Sequence, residues 1–296
     1  MLWVGDFQVA TGGGFWVAIG VFKGVRAKTN SQGWRGPEYS IKKDRKIIRI
    51  IGIGDSIMFG WGVDETERYM DVLVNLLNDK FYDLRFESYN FAVPGYNLVN
   101  EVEVLKQFAI TYQPDLIIYG FCFNDLELPN FIYNNNFLFS SRSVLLDYFK
   151  PYQQSMFLQN SFEETPVWRI NNPDNVPDKY KDQAGITAFT NALKELERIG
   201  NYNDIPIVFL CLFDGAHGKA VLKCSKTILE NIVFFDTGKE YKEVIKTYGF
   251  NNIFLSSKDP HPSIIYHEAI AKSILRQLIE KQILLKNHGA PLTCPP

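Results

Sequence analysis

Residues 47–63 read Ile47-Ile-Arg-Ile-Ile-Gly-Ile-Gly54-Asp55-Ser56-Ile-Met-Phe-Gly-Trp61-Gly-Val63. A β-branched run that stops at Gly54-Asp55-Ser56 and passes into a glycine-spaced turn is the pattern of a sheet-buried strand handing over to a loop. In open α/β sheets, ligands gather outside the carboxyl ends of the strands, so Ser56 stands where such a sheet presents a reactive side chain. Two other readings of the glycines fail. A phosphate loop would need Gly-Lys-Ser/Thr, and no lysine lies between residues 47 and 79; a dinucleotide turn beginning at Gly52 would need glycine where Ile57 stands.

Downstream, the periods alternate. Tyr69, Val72, Leu73, Leu76 and Leu77 fall on one helical face, with Asp64 and Glu67 spaced to cap its start. A strand near 84–93, the turn Pro94-Gly95, a helix over 98–112 ended by Pro114, and a third strand over 115–120 follow. Residues 127–180 then lose any sustained period while carrying Phe131, Tyr133, Tyr148, Trp168 and other aromatics. Such an insertion is either a lid or substrate cap or a small satellite core. The alternation resumes with a helix near 182–199, a strand over 205–213, a mixed helical stretch over 218–248, a short strand over 252–256 and a last helix over 263–285. Strands separated by helices need crossovers, so the expectation is an α/β domain over 47–285, with a mostly parallel sheet and helices on both faces. Residues 1–46 are expected to form an irregular or hairpin-forming extension packed on that domain, and 286–296 a tail.

With 296 residues, of which 46% are hydrophobic, the chain can bury a sizeable core. Its net charge of −2 supplies no basic stripe, so no nucleic-acid partner is expected. The four cysteines form no C-x-x-C pair, and no histidine cluster has zinc spacing, so neither a metal nor another cofactor is expected. The apolar stretch Phe15–Phe22 is far short of a membrane span. No clear signal peptide is legible, which makes a cytoplasmic place the default and leaves an extracytoplasmic one open for a clipped chain. Composition is silent on oligomeric state.

The chemistry-bearing residues recur where strands end. A serine hydroxyl needs a neighbouring base to become a nucleophile, and histidine suits that task near neutral pH. Among four histidines, His261 alone sits in a strand-to-helix loop, braced by Pro260 and Pro262. A tetrahedral intermediate also needs hydrogen-bond donors, and the Ser56 and Gly95 backbone N–H groups and the Asn124 amide are candidates. Trp61 and Tyr96, each next to such a residue, either line an acyl pocket or simply pack.

Gly54-Asp55-Ser56, Gly95, Asn124-Asp125 and Asp259-Pro260-His261 resemble the four ordered blocks of the SGNH (GDSL-type) hydrolase family. The lead-in from Thr29 to Glu38 also resembles the segment before the serine block in one branch of that family, which includes GDSL-like lipases, acylhydrolases and polysaccharide O-acetylation proteins. The resemblance covers about residues 29–125 and 181–283 and implies a three-layer α/β/α flavodoxin-like domain. It further implies serine-dependent hydrolysis of a small-molecule or glycan ester through an acyl-enzyme. Ser56 would be the nucleophile, His261 the base and Asp259 the acid that orients it, with Ser56, Gly95 and Asn124 as the oxyanion hole. The usual family spacing is Asp-x-x-His, which would put the acid at Lys258; here the spacing is Asp-x-His, and the alternatives are that Asp259 caps the final helix or that a backbone carbonyl orients His261. Acyl transfer to a glycan hydroxyl and a non-catalytic glycan- or lipid-binding module are the alternatives.

Overall fold

The computed structural model describes residues 25–129, 181–212 and 225–283, positions 221 and 223, and the backbone of residues 2–4, 7–12 and 15–22. Most of the aromatic insertion and the whole of the carboxyl-terminal tail lie outside the described residues. At the amino terminus, β1 (Leu2–Val4), β2 (Phe7–Gly12), β3 (Phe15–Phe22) and β4 (Val25–Lys28) form successive hairpins in a four-stranded antiparallel sheet.

The main sheet comprises β5 (Ile47–Gly54), β6 (Arg85–Asn90), β7 (Leu116–Phe121), β8 (Ile207–Cys211) and β9 (Ile232–Asp236). Its order is β6-β5-β7-β8-β9, with every pair parallel. Period-2 geometry explains why β5 is apolar apart from the buried Arg49: alternate residues serve two cores. Ile48 and Ile50 pack with helix α2 (Tyr69–Lys80) and the last helix of the domain, while Ile51 and Ile53 pack with α3 (Leu98–Gln107) and α4 (Gly185–Asn203). Each such side chain, fully buried, contributes on the order of 2 kcal/mol. A short helix, α1 (Ser56–Phe59), intervenes between β5 and α2. After β9 come α5 (Gly238–Tyr248), the strands β10 (Phe254–Ser256) and β11 (Asp259–Pro262), and α6 (Ile264–Glu280).

Four local expectations need correction. The stretch 218–248 contains β9, a five-residue edge strand too short to show a period against its helical flanks. The strand near 252–256 does not join the main sheet; β10 pairs antiparallel with β11, so His261 lies on a strand rather than in a loop. The prolines at 260 and 262 fit this placement, because a two-stranded ribbon leaves one edge of each strand unpaired. Asp64 and Glu67 form a reciprocal capping box, but it closes the 3-10 turn Glu65–Glu67 and not α2. Finally, the helix over 98–112 divides into α3 and a 3-10 turn, Ala109–Tyr112.

The start of α2 is capped from another element. His267, wholly buried in α6, accepts the Tyr69 backbone N–H at Nδ1 over 3.2 Å and stacks on the Tyr69 ring. Burial, then the nearby Arg68 and Arg35 cations, lower its pKa from 6.5 to about 3. Because the folded value lies below the unfolded one, the unfolded chain binds the extra proton between them, and stability falls as pH drops through that window. One proton corresponds to about 1.4 kcal/mol per pH unit at most. Urea denaturation between about pH 6 and pH 4 should therefore show a shallower acid loss of stability in His267→Asn than in the natural chain. Parallel pH slopes would contradict the assignment.

Candidate active site

The nucleophile segment is shaped by close approach. A Cβ on Gly54 would lie 3.0 Å from the Met58 Cβ, and one on Gly120 would lie 2.8 Å from the Tyr69 hydroxyl. Side chains at these positions would lift α1 and α2 off the strand ends; glycine lets them settle there. Asp55 caps α1, its Oδ1 accepting the Ile57 N–H at 2.9 Å. That fixes Ser56 at the first helical position, directly beyond β5.

His261 arrives from the other end of the chain. His261 Nε2 lies 2.8 Å from Ser56 Oγ, and His261 Nδ1 lies 2.6 Å from Asp259 Oδ1. In a β-strand, residues i and i+2 point to the same face. On β11 the Asp-x-His spacing therefore sets the carboxylate beside the imidazole, and Lys258, one residue earlier, falls off that face. With Nδ1 donating to Asp259, the tautomer leaves Nε2 free to accept the Ser56 hydroxyl proton. A second acceptor, Asp55 Oδ2, is farther from Ser56 Oγ, at 3.4 Å.

Gly95 and Asn124 sit on neighbouring turns. Gly95 has φ 76°, a left-handed conformation that costs glycine little, in the turn closed by Tyr96 N–H donating to the Val93 carbonyl. The Val93 N–H donates in turn to the Gly54 carbonyl at 3.0 Å, tying this turn to the nucleophile strand. Asn124 lies in a 3-10 turn, Phe123–Leu126, after β7. Its Nδ2 donates to the Tyr96 carbonyl at 3.3 Å, and its amide lies near the buried Asp55 carboxyl and favours its charged form. Burial raises the Asp55 pKa, and the Ile57 N–H and the Asn124 amide oppose that rise. The structure thus joins Ser56, His261 and Asp259 directly and links the Gly95 and Asn124 turns to one another and to the serine turn. Trp61 joins them: its N–H donates to the Ser56 carbonyl at 3.0 Å, and its indole stacks on His261 at 5.6 Å. Tyr96 is mostly buried, which raises its phenol pKa.

One contributor escapes sequence reasoning. Arg35, from the lead-in, is buried and spreads its guanidinium over the loop that carries Trp61. Its Nη1 donates to the Phe59 and Gly60 carbonyls at 2.9 and 2.6 Å, and its Nη2 to Val63 at 2.7 Å. Burial and the neighbouring Arg68 lower its pKa to about 10. The resemblance of residues 29–38 draws attention to the segment, but no periodicity marks a buried arginine. Among the described residues, no group of three or more His, Cys, Asp or Glu could hold a metal ion. No helix among them is long and apolar enough to cross a membrane.

Residues 53–195, just under half of the chain, match the family described as GDSL-like Lipase/Acylhydrolase, a match that supports a carboxylic ester hydrolase. Solved structures share the fold. An acetylxylan esterase from Geobacillus stearothermophilus is 17% identical with a TM-score of 0.50, covering 84% of this chain and 97% of its own. A putative GDSL-like lipase from Parabacteroides merdae is 15% identical with a TM-score of 0.50, covering 80% of this chain and 97% of its own. Structures of catalytic mutants of the acetylxylan esterase replace a serine, an aspartate or a histidine with alanine, the last two standing three positions apart. No curated protein matches the sequence.

Replacing the Arg35 fork with a single ammonium tests its brace. Arg35→Lys should keep the charge but leave loop carbonyls unpaired, costing about 1–3 kcal/mol of stability by urea denaturation. An unchanged midpoint would show that the carbonyls do not depend on the guanidinium.

Proposed function

We propose that the chain hydrolyses esters through a covalent acyl-Ser56 intermediate. The observation that carries this reading is the continuous hydrogen-bonded row Asp259 Oδ1, His261 Nδ1, His261 Nε2 and Ser56 Oγ, with separations of 2.6 and 2.8 Å. His261 Nε2 takes the hydroxyl proton as Ser56 Oγ bonds to the ester carbonyl carbon. The carbonyl electrons move to oxygen, and the oxyanion is received by the Ser56 and Gly95 backbone N–H groups and the Asn124 amide. Each aligned donor contributes roughly 3 kcal/mol to transition-state stabilisation. Neither backbone N–H has an acceptor among the described residues, whereas the Asn124 amide would turn from Tyr96 and Asp55 toward the oxyanion.

Collapse of the intermediate expels the alkoxide, which leaves as the alcohol with the proton from His261. Water then attacks the acyl-enzyme, giving its proton to His261, which passes that proton to Ser56 Oγ as the second intermediate collapses to the acid and the free hydroxyl. Asp259 stays ionised and stabilises the imidazolium. The acetylxylan esterases among the similar structures support an ester of a glycan or small alcohol as substrate. Catalytic mutants of the esterase support the residue types, though their aspartate and histidine are one position farther apart than Asp259 and His261.

On p-nitrophenyl esters of rising chain length, Ser56→Ala should lose at least about 10³-fold in kcat, and Asp259→Asn about 10²- to 10⁴-fold with little change in KM. Full activity in Ser56→Ala would overturn the reading. A second reading, acyl transfer to a glycan hydroxyl, draws on the Asp-x-His spacing and the lead-in; it shares the first half-reaction. Incubation with an acyl donor and glycan acceptors separates the two: acylated glycan in excess of free acid supports transfer, and free acid alone supports hydrolysis.

A further inference from the structure

Beneath the site lie carboxyl groups that the proposed mechanism does not use. Glu101 lies on the buried face of α3, in the stripe with Leu98, Val102 and Leu105, and is 2% exposed; Asp125 follows Asn124 and is 1% exposed. Asp125 Oδ2 accepts the Tyr119 hydroxyl at 2.7 Å and the Cys122 backbone N–H at 2.8 Å. Among the described residues no N–H or hydroxyl donates to Asp125 Oδ1 or to either Glu101 oxygen. The two buried carboxyls are neighbours, within reach of a side-chain hydrogen bond to one another.

Two carboxylates cannot form such a bond; one must carry a proton. Two donors already stabilise the Asp125 anion and none serves Glu101, so the proton belongs on Glu101. We propose that Glu101 is a positioning residue held as the neutral acid, donating its O–H to Asp125 Oδ1 and thereby clamping the Gly95 segment to the Asn124 turn. Burial, then the nearby Asp125 and Asp55 charges, raise the Glu101 pKa, which agrees with this placement. The ionisable groups facing it are Asp125, Asp55 and the phenols of Tyr69 and Tyr119, and none is a cation.

The clamp has two companions. Asn97, which caps α3, donates from Nδ2 to the Glu127 carbonyl at 2.7 Å, and Asn124 reaches back to the Tyr96 carbonyl. Three ties thus join residues 95–101 to 124–127, the segments proposed to carry two of the three oxyanion donors. An ionised Glu101 would replace the strongest tie with repulsion between two anions in a dry site.

The effect on catalysis rests on the oxyanion reading above, whereas the position of the proton does not. The test combines two readouts. Infrared difference spectra of the whole protein at neutral pH should contain a carboxylic-acid carbonyl band that is lost in Glu101→Gln. In steady-state kinetics, Glu101→Gln, whose amide still donates to Asp125, should hold kcat within about threefold, while Glu101→Ala should lower kcat about tenfold to a hundredfold with KM nearly unchanged. The glutamine variant also keeps the test meaningful if the alanine variant fails to fold. Absence of the acid band, or a glutamine variant as impaired as the alanine one, would overturn the proposal. A band present in a chain without esterase activity would instead keep the proton assignment and discard the oxyanion reading.

Discussion

Between β5 and β7 the chain reverses its winding. From β5 it crosses through α2 to β6 on one side; from β6 it returns through α3, on the opposite face, to β7. Right-handed crossovers permit only this arrangement for the observed strand order, and the reversal opens a crevice at the carboxyl ends of β5 and β7. Ser56 and Asn124 sit at those two ends, and Gly95 follows β6 next door. The site is therefore a consequence of strand order before it is a consequence of any individual side chain. What the topology cannot supply is the proposed base, because the main sheet has no sixth strand among the described residues to carry it. The β10–β11 ribbon delivers His261 instead, across 205 residues of sequence.

That delivery bears on the acid. An imidazole holds one tautomer and one orientation only when its second nitrogen is engaged. In an irregular loop the spacing between acid and histidine is set by the turn. On a strand it is set by the pleat, which repeats every two residues. Asp259-Pro260-His261 uses the strand solution, so the shorter spacing reflects a different local backbone and not a missing acid. Around this row the structure spends buried polar groups freely: Arg35 on the Trp61 loop, Asp55 at the start of α1, and His267 at the start of α2. Each satisfies backbone groups that would otherwise be buried without partners.

How much of this was legible in the sequence follows from the kind of signal each element carries. The strands β7 and β8 announce themselves as unbroken apolar runs, and β5 as one interrupted only by Arg49, because both faces are covered. The helices α2 and α4 show one-sided stripes for the opposite reason. The edge strand β9 did not stand out, since five residues beside Ile228 and Leu229 fit a helical spacing equally well. β11 reads as a loop in the sequence because two prolines in four residues argue against a central strand; it is instead half of a two-stranded ribbon. Ser56, Gly95 and Asn124 are legible because each follows a strand that the sequence marks, and His261 because two prolines brace it between a strand and a helix. Arg35, Glu101 and His267 are not. A polar group buried for its hydrogen bonds leaves no period, and only the fold reveals which carbonyl, carboxyl or N–H it meets.

The central claim is that the hydroxyl of Ser56 is activated by His261 in the folded chain. Covalent trapping tests it most directly: the protein is treated with an organophosphonate ester, digested, and the modified peptide sequenced by mass spectrometry. The account predicts a single phosphonyl group on Ser56, absent when the protein is unfolded first and absent in His261→Ala. Labelling at another residue, or labelling of Ser56 that survives loss of His261, would contradict it.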